Sequence, residues 1–178
     1  MTINHYPQGL FILRHGEAKL SANSDALRSL TLQGKEEAKA SAHYLYHTIK
    51  STELSEGKSA TIYFLVSSAI RTRETFEEIQ NIWQELDQDT DQSSLTKNCH
   101  REFKDSLYLA SASMINDHVL EAMLNSPSTP YYLILVGHNP GLSDFVHELT
   151  GNWLSLSTGE VKYLLPPHTE MLKWTLKN

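Results

Sequence analysis

The sequence has almost no cysteine: Cys99 is the single one among 178 residues. One thiol excludes an internal disulfide and any metal site built from several cysteines. The sequence also lacks a basic excess, since 15 Lys and Arg stand against 21 Asp and Glu and the formal net charge is −6. A nucleic-acid-binding protein needs a basic face to neutralise phosphates, so we expect no nucleic-acid partner.

Long apolar runs are also missing, and none approaches the roughly 18 residues that a membrane helix needs. The first six residues lack the basic and apolar parts of a signal peptide. We therefore expect a cytoplasmic protein with no membrane partner. Hydrophobic residues still make up 40% of the chain, which excludes intrinsic disorder and suits one core, so we expect a single domain over residues 1–178.

Three short apolar runs, at 10–13, 62–66 and 131–136, have the composition of buried strands. Helical patterns lie between and after them, including the stripes Ala38-Ala42-Leu45-Ile49 and Phe76-Ile79-Trp83-Leu86. This alternation predicts an α/β fold with three layers, α/β/α, around a mostly parallel central sheet.

Two further segments differ from this pattern. Residues 87–98 are polar and predict an exposed loop. Residues from about 160 to 176 predict two strands joined at Pro166-Pro167-His168, because Leu172, Trp174 and Leu176 alternate with polar residues.

Polar residues with complementary chemistry follow the three predicted strands. Arg14 and His15 follow the first, Arg71 the second and His138 the third. Ligands of open α/β sheets bind beyond the carboxyl ends of the strands, so we expect these side chains to converge there. Two guanidiniums match the oxygens of a phosphoryl group, and one histidine can hold that group covalently. The second histidine, protonated, can stabilise the charge of the transition state, so the set predicts phosphoryl transfer without a metal or cofactor.

Four motifs in these positions resemble those of the histidine phosphatase superfamily, which has the phosphoglycerate-mutase-like fold. In chain order they are Leu13-Arg14-His15-Gly16-Glu17, Leu30-Thr31 followed by Gly34 and Ala38, the segment 67–75 around Arg71, and Val136-Gly137-His138-Asn139-Pro140-Gly141-Leu142. A lone Arg-His-Gly is a weak signal, but four motifs in order at strand ends are specific. The resemblance covers essentially the whole chain.

Within the superfamily the chain is similar to the small SixA-type phosphohistidine phosphatases. The segments that carry this similarity are Asp25-Ala26-Leu27-Arg28, Leu107-Tyr108-Leu109-Ala110-Ser111 and Ser157-Thr158-Gly159. The resemblance implies that His15 is the phosphorylated nucleophile and that Arg14 and Arg71 bind the phosphoryl oxygens. The other site residues that it implies are His138, which completes the pocket, Gly16, where the backbone turns close to the nucleophile, and the substrate-binding candidates Arg28 and Asn139.

The sequence leaves the general acid open. Larger members of the superfamily place a Glu or Asp after the second arginine motif to protonate the leaving oxygen. Asp105 is the first candidate here and Glu102 the second. SixA-type enzymes have no obvious acid in this region, and the P–N bond of a phosphohistidine is labile enough for imidazole to leave without one.

The resemblance therefore implies a metal-independent phosphatase that acts on phosphohistidine in a signalling or phosphotransfer protein. Two alternatives stay open: a phosphatase or mutase for sugar or other organic phosphates, and an inactive module that binds phospho-groups. His43 and His47 are four apart on a predicted helix and could chelate a metal, but no third ligand is evident, so we expect no metal site.

Overall fold

The computed structural model describes residues 6–57, 59–88, 94–126, 130–167 and 173–177. Its strands are β1 (Gly9–Arg14), β2 (Thr61–Ser67), β3 (Cys99–Lys104), β4 (Tyr131–Gly137), β5 (Val161–Leu165) and β6 (Thr175–Lys177). Its helices are α1 (Leu32–Glu56), α2 (Ile70–Gln88), α3 (Ala112–Asn125) and α4 (Gly141–Thr150), and short 3-10 turns lie at Asp25–Leu27, Thr96–Asn98 and Asp105–Leu107.

The six strands form one sheet in the order β3-β2-β4-β1-β5-β6. Strands β1 to β4 run parallel, whereas β5 is antiparallel to β1 and β6 is antiparallel to β5. The register pairs Arg14 with Gly137 and Val66 with Val136. The carboxyl ends of β1, β2 and β4 therefore meet at one edge of the sheet.

Helices cover both faces of the sheet. Successive residues of its central strands point to opposite faces, so each strand contributes to two apolar clusters. Phe11 and Leu13 of β1 pack in an apolar cluster with α1 and α2. Leu10 and Ile12 pack in a second cluster with α3 and α4. The expected three-layer α/β/α architecture around a mostly parallel sheet is confirmed.

Helix α1 shows how local sequence sets an element's limits. Its N-cap is Thr31, whose hydroxyl accepts a hydrogen bond from the backbone N of Gly34 at 3.0 Å. It ends at Gly57, which has a φ of 64°. The predicted stripe on this helix, Ala38-Ala42-Leu45-Ile49, is fully buried.

The prediction of an exposed loop over 87–98 is wrong at its start, since Asp87 and Gln88 belong to α2, and at Leu95, which is buried. Residues 89–93 lie outside the described residues. The sequence reading also missed the strand that follows. The Asp87 carboxylate accepts hydrogen bonds from the backbone N of Leu95 and of Thr96, which shapes the turn before β3. Strand β3 lies at the sheet edge, next to β2 alone, and several of its side chains are exposed. Its sequence therefore has no continuous apolar run.

The tail folds largely as expected, since β5 and β6 pair antiparallel. His168 and Leu172, part of the predicted joint and second strand, lie outside the described residues. Within the described ranges, none of the helices is both long and apolar enough to cross a membrane.

Candidate active site

A cavity of about 420 Å³ opens at the edge where β1, β2 and β4 end. Six of the residues expected in the site line it: Arg14, His15, Arg28, Arg71, His138 and Asn139. They come from four separate parts of the chain, and the parallel register brings them together.

His15 follows directly after β1 and is buried. Its Nδ1 lies 2.7 Å from the carbonyl oxygen of Gly16. Because a carbonyl only accepts, Nδ1 carries the ring proton and Nε2 has the free lone pair. Burial, with smaller contributions from the charges of Arg71 and Arg14, lowers the pKa of His15 to about 4. The imidazole is therefore neutral near pH 7 and can act as a nucleophile.

Gly16 is required by a close approach between two backbone segments. A Cβ at this position would lie 2.2 Å from the carbonyl oxygen of Gly34, in the first turn of α1. The backbone N of Gly16 also donates to Oγ1 of Thr75 in α2 at 3.1 Å. The segment after His15 is thus held against both helices on that face.

Arg71 lies in the first turn of α2 and points into the cavity floor, where its side chain is 4% exposed. Its Nε donates to Nε2 of His15 at 3.1 Å. Its Nη1 and Nη2 donate to the backbone oxygen and the Oδ2 of Asp25, at 2.7 and 2.9 Å. The guanidinium is therefore fixed beside the imidazole of His15.

Asp25 joins two of the three arginines that line the cavity, Arg28 and Arg71, and this role was not anticipated from the sequence. Arg28 donates through Nη1 to Asp25 Oδ1 at 2.9 Å, and the hydroxyl of Tyr108 donates to Oδ2 at 2.6 Å. The Tyr108 and Arg28 hydrogen bonds, followed by Arg71, hold the pKa of Asp25 well below its usual range. The carboxyl is therefore ionised near neutral pH.

Arg14 and Asn139 both reach the loop before β5. The Nη1 of Arg14 and the Nδ2 of Asn139 each donate to the carbonyl oxygen of Leu156 at 2.8 Å. The Oδ1 of Asn139 accepts from the hydroxyl of Ser143 at 3.0 Å. Both polar atoms of the Asn139 amide are thus occupied, whereas Arg14 Nε is buried and has no hydrogen-bond partner among the described residues.

His138 follows β4 and is buried, with its ring centroid 5.1 Å from that of His15. Its Nε2 lies 2.7 Å from Oγ of Ser67, a contact that sequence reasoning missed although Ser67 belongs to the second arginine motif. Its Nδ1 is buried without a partner in the described part of the chain. Burial, followed by the charges of His15 and Arg71, lowers the pKa of His138 to about 3, so the ring is neutral without a ligand.

The two candidate general acids lie elsewhere. Asp105 is exposed at the start of its 3-10 turn, and Glu102 lies in β3 within 3.1 Å of Lys104. Neither lines the cavity, whose carboxylates are those of Glu17 and Asp25.

The histidine pair on α1 was considered as a metal site. The rings of His43 and His47 stack with centroids 6.2 Å apart. Over the ranges that the structure describes, no three His, Cys, Asp or Glu side chains are grouped as metal ligands.

Comparisons with known proteins fit this geometry. No protein-family model matches the chain. Over 70 residues it is 34% identical to a phosphohistidine phosphatase SixA homolog of Haemophilus influenzae, and this match spans 39% of the chain and only 40% of that relative.

Solved structures match over nearly the full length. A SixA protein from Agrobacterium tumefaciens gives a TM-score of 0.69 at 20% identity and covers 97% of both chains. The protein histidine phosphatase SixA solved with tungstate gives 0.66 at 21% identity, over 96% of this chain and 94% of that one. A phosphoglycerate mutase from Plasmodium falciparum gives 0.57 at 17% identity, over 96% and 88%.

This chain has the fold of the SixA structures. The phosphoglycerate-mutase-like architecture expected from the four motifs is confirmed, and so is the likeness to SixA-type proteins. This fold accounts for the position of the cavity, because it brings the ends of β1, β2 and β4 to one edge of the sheet.

Proposed function

We propose that this chain is a phosphatase that works without a metal, forms a phosphohistidine at His15 and removes the phosphoryl group from phosphohistidine in a protein. The observation that carries the proposal is the state of the His15 imidazole. Its Nδ1 proton is held by the Gly16 carbonyl, and its Nε2 lone pair faces the cavity arginines. A neutral imidazole with this tautomer is a competent nucleophile toward phosphorus.

The charges of the cavity favour a phosphoryl dianion. Arg14, Arg28 and Arg71 contribute three positive charges, against the carboxylates of Glu17 and Asp25. The chain carries a net charge of −6, so this local excess is what attracts the ligand. Forked guanidinium donors match the equatorial oxygens of the group in transfer.

In the first step, Nε2 of His15 attacks phosphorus and forms a P–N bond while the P–N bond of the substrate breaks. The electron pair of the broken bond stays on the leaving imidazole, which takes a proton from solvent. The Nδ1 proton of His15 stays on the ring and continues to be donated to the Gly16 carbonyl oxygen, which supports the positive charge that the ring acquires. In the second step, water attacks the phosphoryl group, gives up a proton and restores the His15 lone pair as inorganic phosphate leaves.

His138 supports the transferred group with its Nδ1, the ring atom that has no partner in the described structure. Its pKa is low in the free cavity because the ring is buried. A dianion beside it favours the protonated form, so His138 becomes a donor when the phosphoryl group is bound. Ser67 Oγ fixes the ring through the opposite nitrogen.

Substrate choice follows from the state of Asp25, the cavity carboxylate that contacts Arg71. Release of an alcohol from a phosphate ester needs an acid at the leaving oxygen. Asp25 is ionised and already accepts three hydrogen-bond donors through its carboxylate, so it has no proton to give. Imidazole leaves more readily, which favours phosphohistidine. The similarity to proteins called phosphohistidine phosphatases, and to one solved with tungstate, an oxyanion of phosphate-like shape, supports the same choice.

Trapping of the intermediate tests the mechanism. The protein is mixed with a radiolabelled phosphohistidine protein and quenched at alkaline pH in detergent, because phosphohistidine is acid-labile. We expect label on the wild type and on the control His47→Asn, and none on His15→Asn. Equal labelling of wild type and His15→Asn, or no labelling and no turnover at all, contradicts the mechanism. Full activity in the presence of a chelator is expected, and strong inhibition by it would point to a metal.

A side-by-side assay tests the substrate class. Turnover of the phosphohistidine protein is compared with that of a panel of sugar phosphates and a phosphoserine peptide. Faster turnover of the sugar phosphates would favour the small-molecule alternative. Binding of tungstate without turnover of any substrate would favour the inactive phospho-binding module.

A further inference from the structure

Two large apolar side chains line the same cavity as the charged groups. They are Leu20, whose residue is 95% exposed, and Leu109, which is 55% exposed. Each belongs to a different segment, one after β1 and one after β3. Single exposed leucines are ordinary on a protein surface, but these two stand at the opening of a site for a charged group.

The backbone of Leu109 indicates that its exposure is maintained by the fold. Its φ is 50°, the left-handed region that a leucine rarely adopts and that costs free energy. Buried Leu107 and Ala110 anchor the chain on either side. The neighbouring Tyr108 donates through its hydroxyl to Asp25 and through its backbone N to the Asp105 oxygen, at 2.6 and 3.0 Å. The strained conformation is therefore held from several directions and presents the Leu109 side chain at the cavity.

The position of His15 determines which part of a bound substrate contacts Leu20 and Leu109. A phosphoryl group bound to the cavity arginines has its phosphorus at Nε2 of His15, so the group that carries it extends out through the opening. Whatever surrounds the phosphorylated atom in the substrate then lies against Leu20 and Leu109. A sugar is covered with hydroxyls and gains little from such contacts, whereas apolar side chains around a phosphohistidine lose water-exposed area.

We propose that Leu20 and Leu109 form an apolar docking surface for the protein that carries the phosphohistidine. This inference rests on the proposed function, because it assigns the partner of the same cavity. The occupant is a folded protein domain with apolar side chains next to its phosphorylated histidine. The two leucines act on substrate affinity and leave the chemistry at His15 unchanged.

Two substrates with the same leaving group separate docking from chemistry. One is a histidine-containing phosphotransfer domain phosphorylated with phosphoramidate, and the other is N-phosphoimidazole, which has no protein around it. In the double variant Leu20→Ser/Leu109→Ser we expect KM for the phosphorylated domain to rise by about tenfold, as loss of two partly buried apolar contacts implies. We expect kcat for the domain, and both constants for N-phosphoimidazole, to stay within about twofold of wild type, because the loss is confined to docking.

The matched control is Leu54→Ser, which removes a leucine that is 66% exposed near the far end of α1. It should leave both substrates unaffected. Turnover of N-phosphoimidazole by the double variant also shows that the variant is folded. The rise in KM should persist at high salt, because an apolar contact is not screened.

Three results would overturn the docking surface. One is an unchanged KM for the phosphorylated domain, and another is an equal loss with both substrates. The third is a rise in KM that disappears at high salt, which would indicate docking through charge. Failure of the wild type to turn over either substrate would instead remove the proposed function and the docking surface with it.

Discussion

Arg71 and His15 share a hydrogen bond in which the guanidinium Nε donates to the imidazole Nε2 over 3.1 Å. The Nε2 lone pair, which attacks phosphorus in the mechanism that we propose, is therefore hydrogen-bonded to a cation in the free site. The other nitrogens of Arg71 are held on Asp25, so the guanidinium stays next to the incoming oxygens when this bond gives way. In the proposed mechanism, this one side chain both orients His15 and stabilises the charge that the reaction creates.

Replacement of Arg71 by lysine should lower kcat/KM by roughly a hundredfold or more, the usual cost of a lost preorganised donor at a reacting group. A lysine has one compact ammonium and cannot contact His15 and Asp25 together. Steady-state kinetics with a phosphohistidine protein measures the loss. The control is Arg73→Lys, in the same turn of α2, whose guanidinium lies 4.6 Å from the centre of the Phe103 ring. Equal activity of Arg71→Lys and Arg73→Lys would show that activity does not need the forked guanidinium donors of Arg71.

Asp25→Asn should separate binding from turnover. Loss of one negative charge from the cavity strengthens inhibition by inorganic phosphate, whose inhibition constant is expected to fall several-fold. The rate constant kcat should also fall, since Arg71 loses its ion pair and is held less firmly beside His15. Asp117→Asn, on the exposed face of α3, should change neither quantity. Weaker phosphate inhibition in Asp25→Asn would contradict this account.

Gly16→Ala should destabilise the protein and abolish most activity. The added Cβ would lie 2.2 Å from the Gly34 carbonyl oxygen, so backbone segments must separate, at a cost of about 1–3 kcal/mol or more. Urea unfolding and kcat/KM together report the effect. Gly57→Ala is the matched control, since its φ of 64° is strained for alanine but nothing lies within 4 Å of the added Cβ. It should cost about 1–2 kcal/mol and leave activity intact. A Gly16→Ala variant as active as Gly57→Ala would show that the close approach is not needed.

The buried histidines should make the fold less stable in mild acid. Burial lowers the pKa of His15 to about 4 and that of His138 to about 3, while the unfolded chain keeps values near 6.5. As the pH falls below about 6.5, the unfolded state takes up protons that the folded state does not, so the free energy of unfolding decreases. This contribution is fully present above that pH and is lost progressively toward the folded-state pKa values.

Urea unfolding at pH 7.5 and at pH 5 measures this decrease. In His138→Gln one of the two histidines no longer titrates, so the loss of stability between the two pH values should be smaller than in wild type. His43→Gln, at an exposed position on α1, should show the wild-type difference. An identical difference in His138→Gln and wild type would mean that His138 has no depressed pKa.

The predictability of the fold from sequence depended on where each strand lies in the sheet. Strands β1, β2 and β4 have neighbours on both edges and helices on both faces, so their sequences are continuous apolar runs. Strand β3 lies at the edge and mixes exposed and half-buried residues. The same exposure that suits an edge strand removes the pattern that would reveal it.

The same distinction holds in the site. The positions of Arg14, His15, Arg71 and His138 were predictable because each lies at or soon after the carboxyl end of a strand that ends at the cavity. The part played by Asp25 was not predictable, because it depends on a hydrogen bond from Tyr108, which is 83 residues away. Likewise, the sequence could not show that Asp105 lies outside the cavity lining. A carboxylate near a motif in sequence does not reveal where its side chain points in the fold.

The position of β1 in the sheet has a consequence for the order in which the nascent chain folds. This strand leads directly into His15, yet its two neighbours are β4 and β5, which are synthesised more than a hundred residues later. On the ribosome, β1 has no strand beside it until most of the chain has emerged, and closing so long a loop is slow. Catalytic competence should therefore be among the last properties that the protein acquires as it folds, and the gain of activity reports completion of the whole sheet.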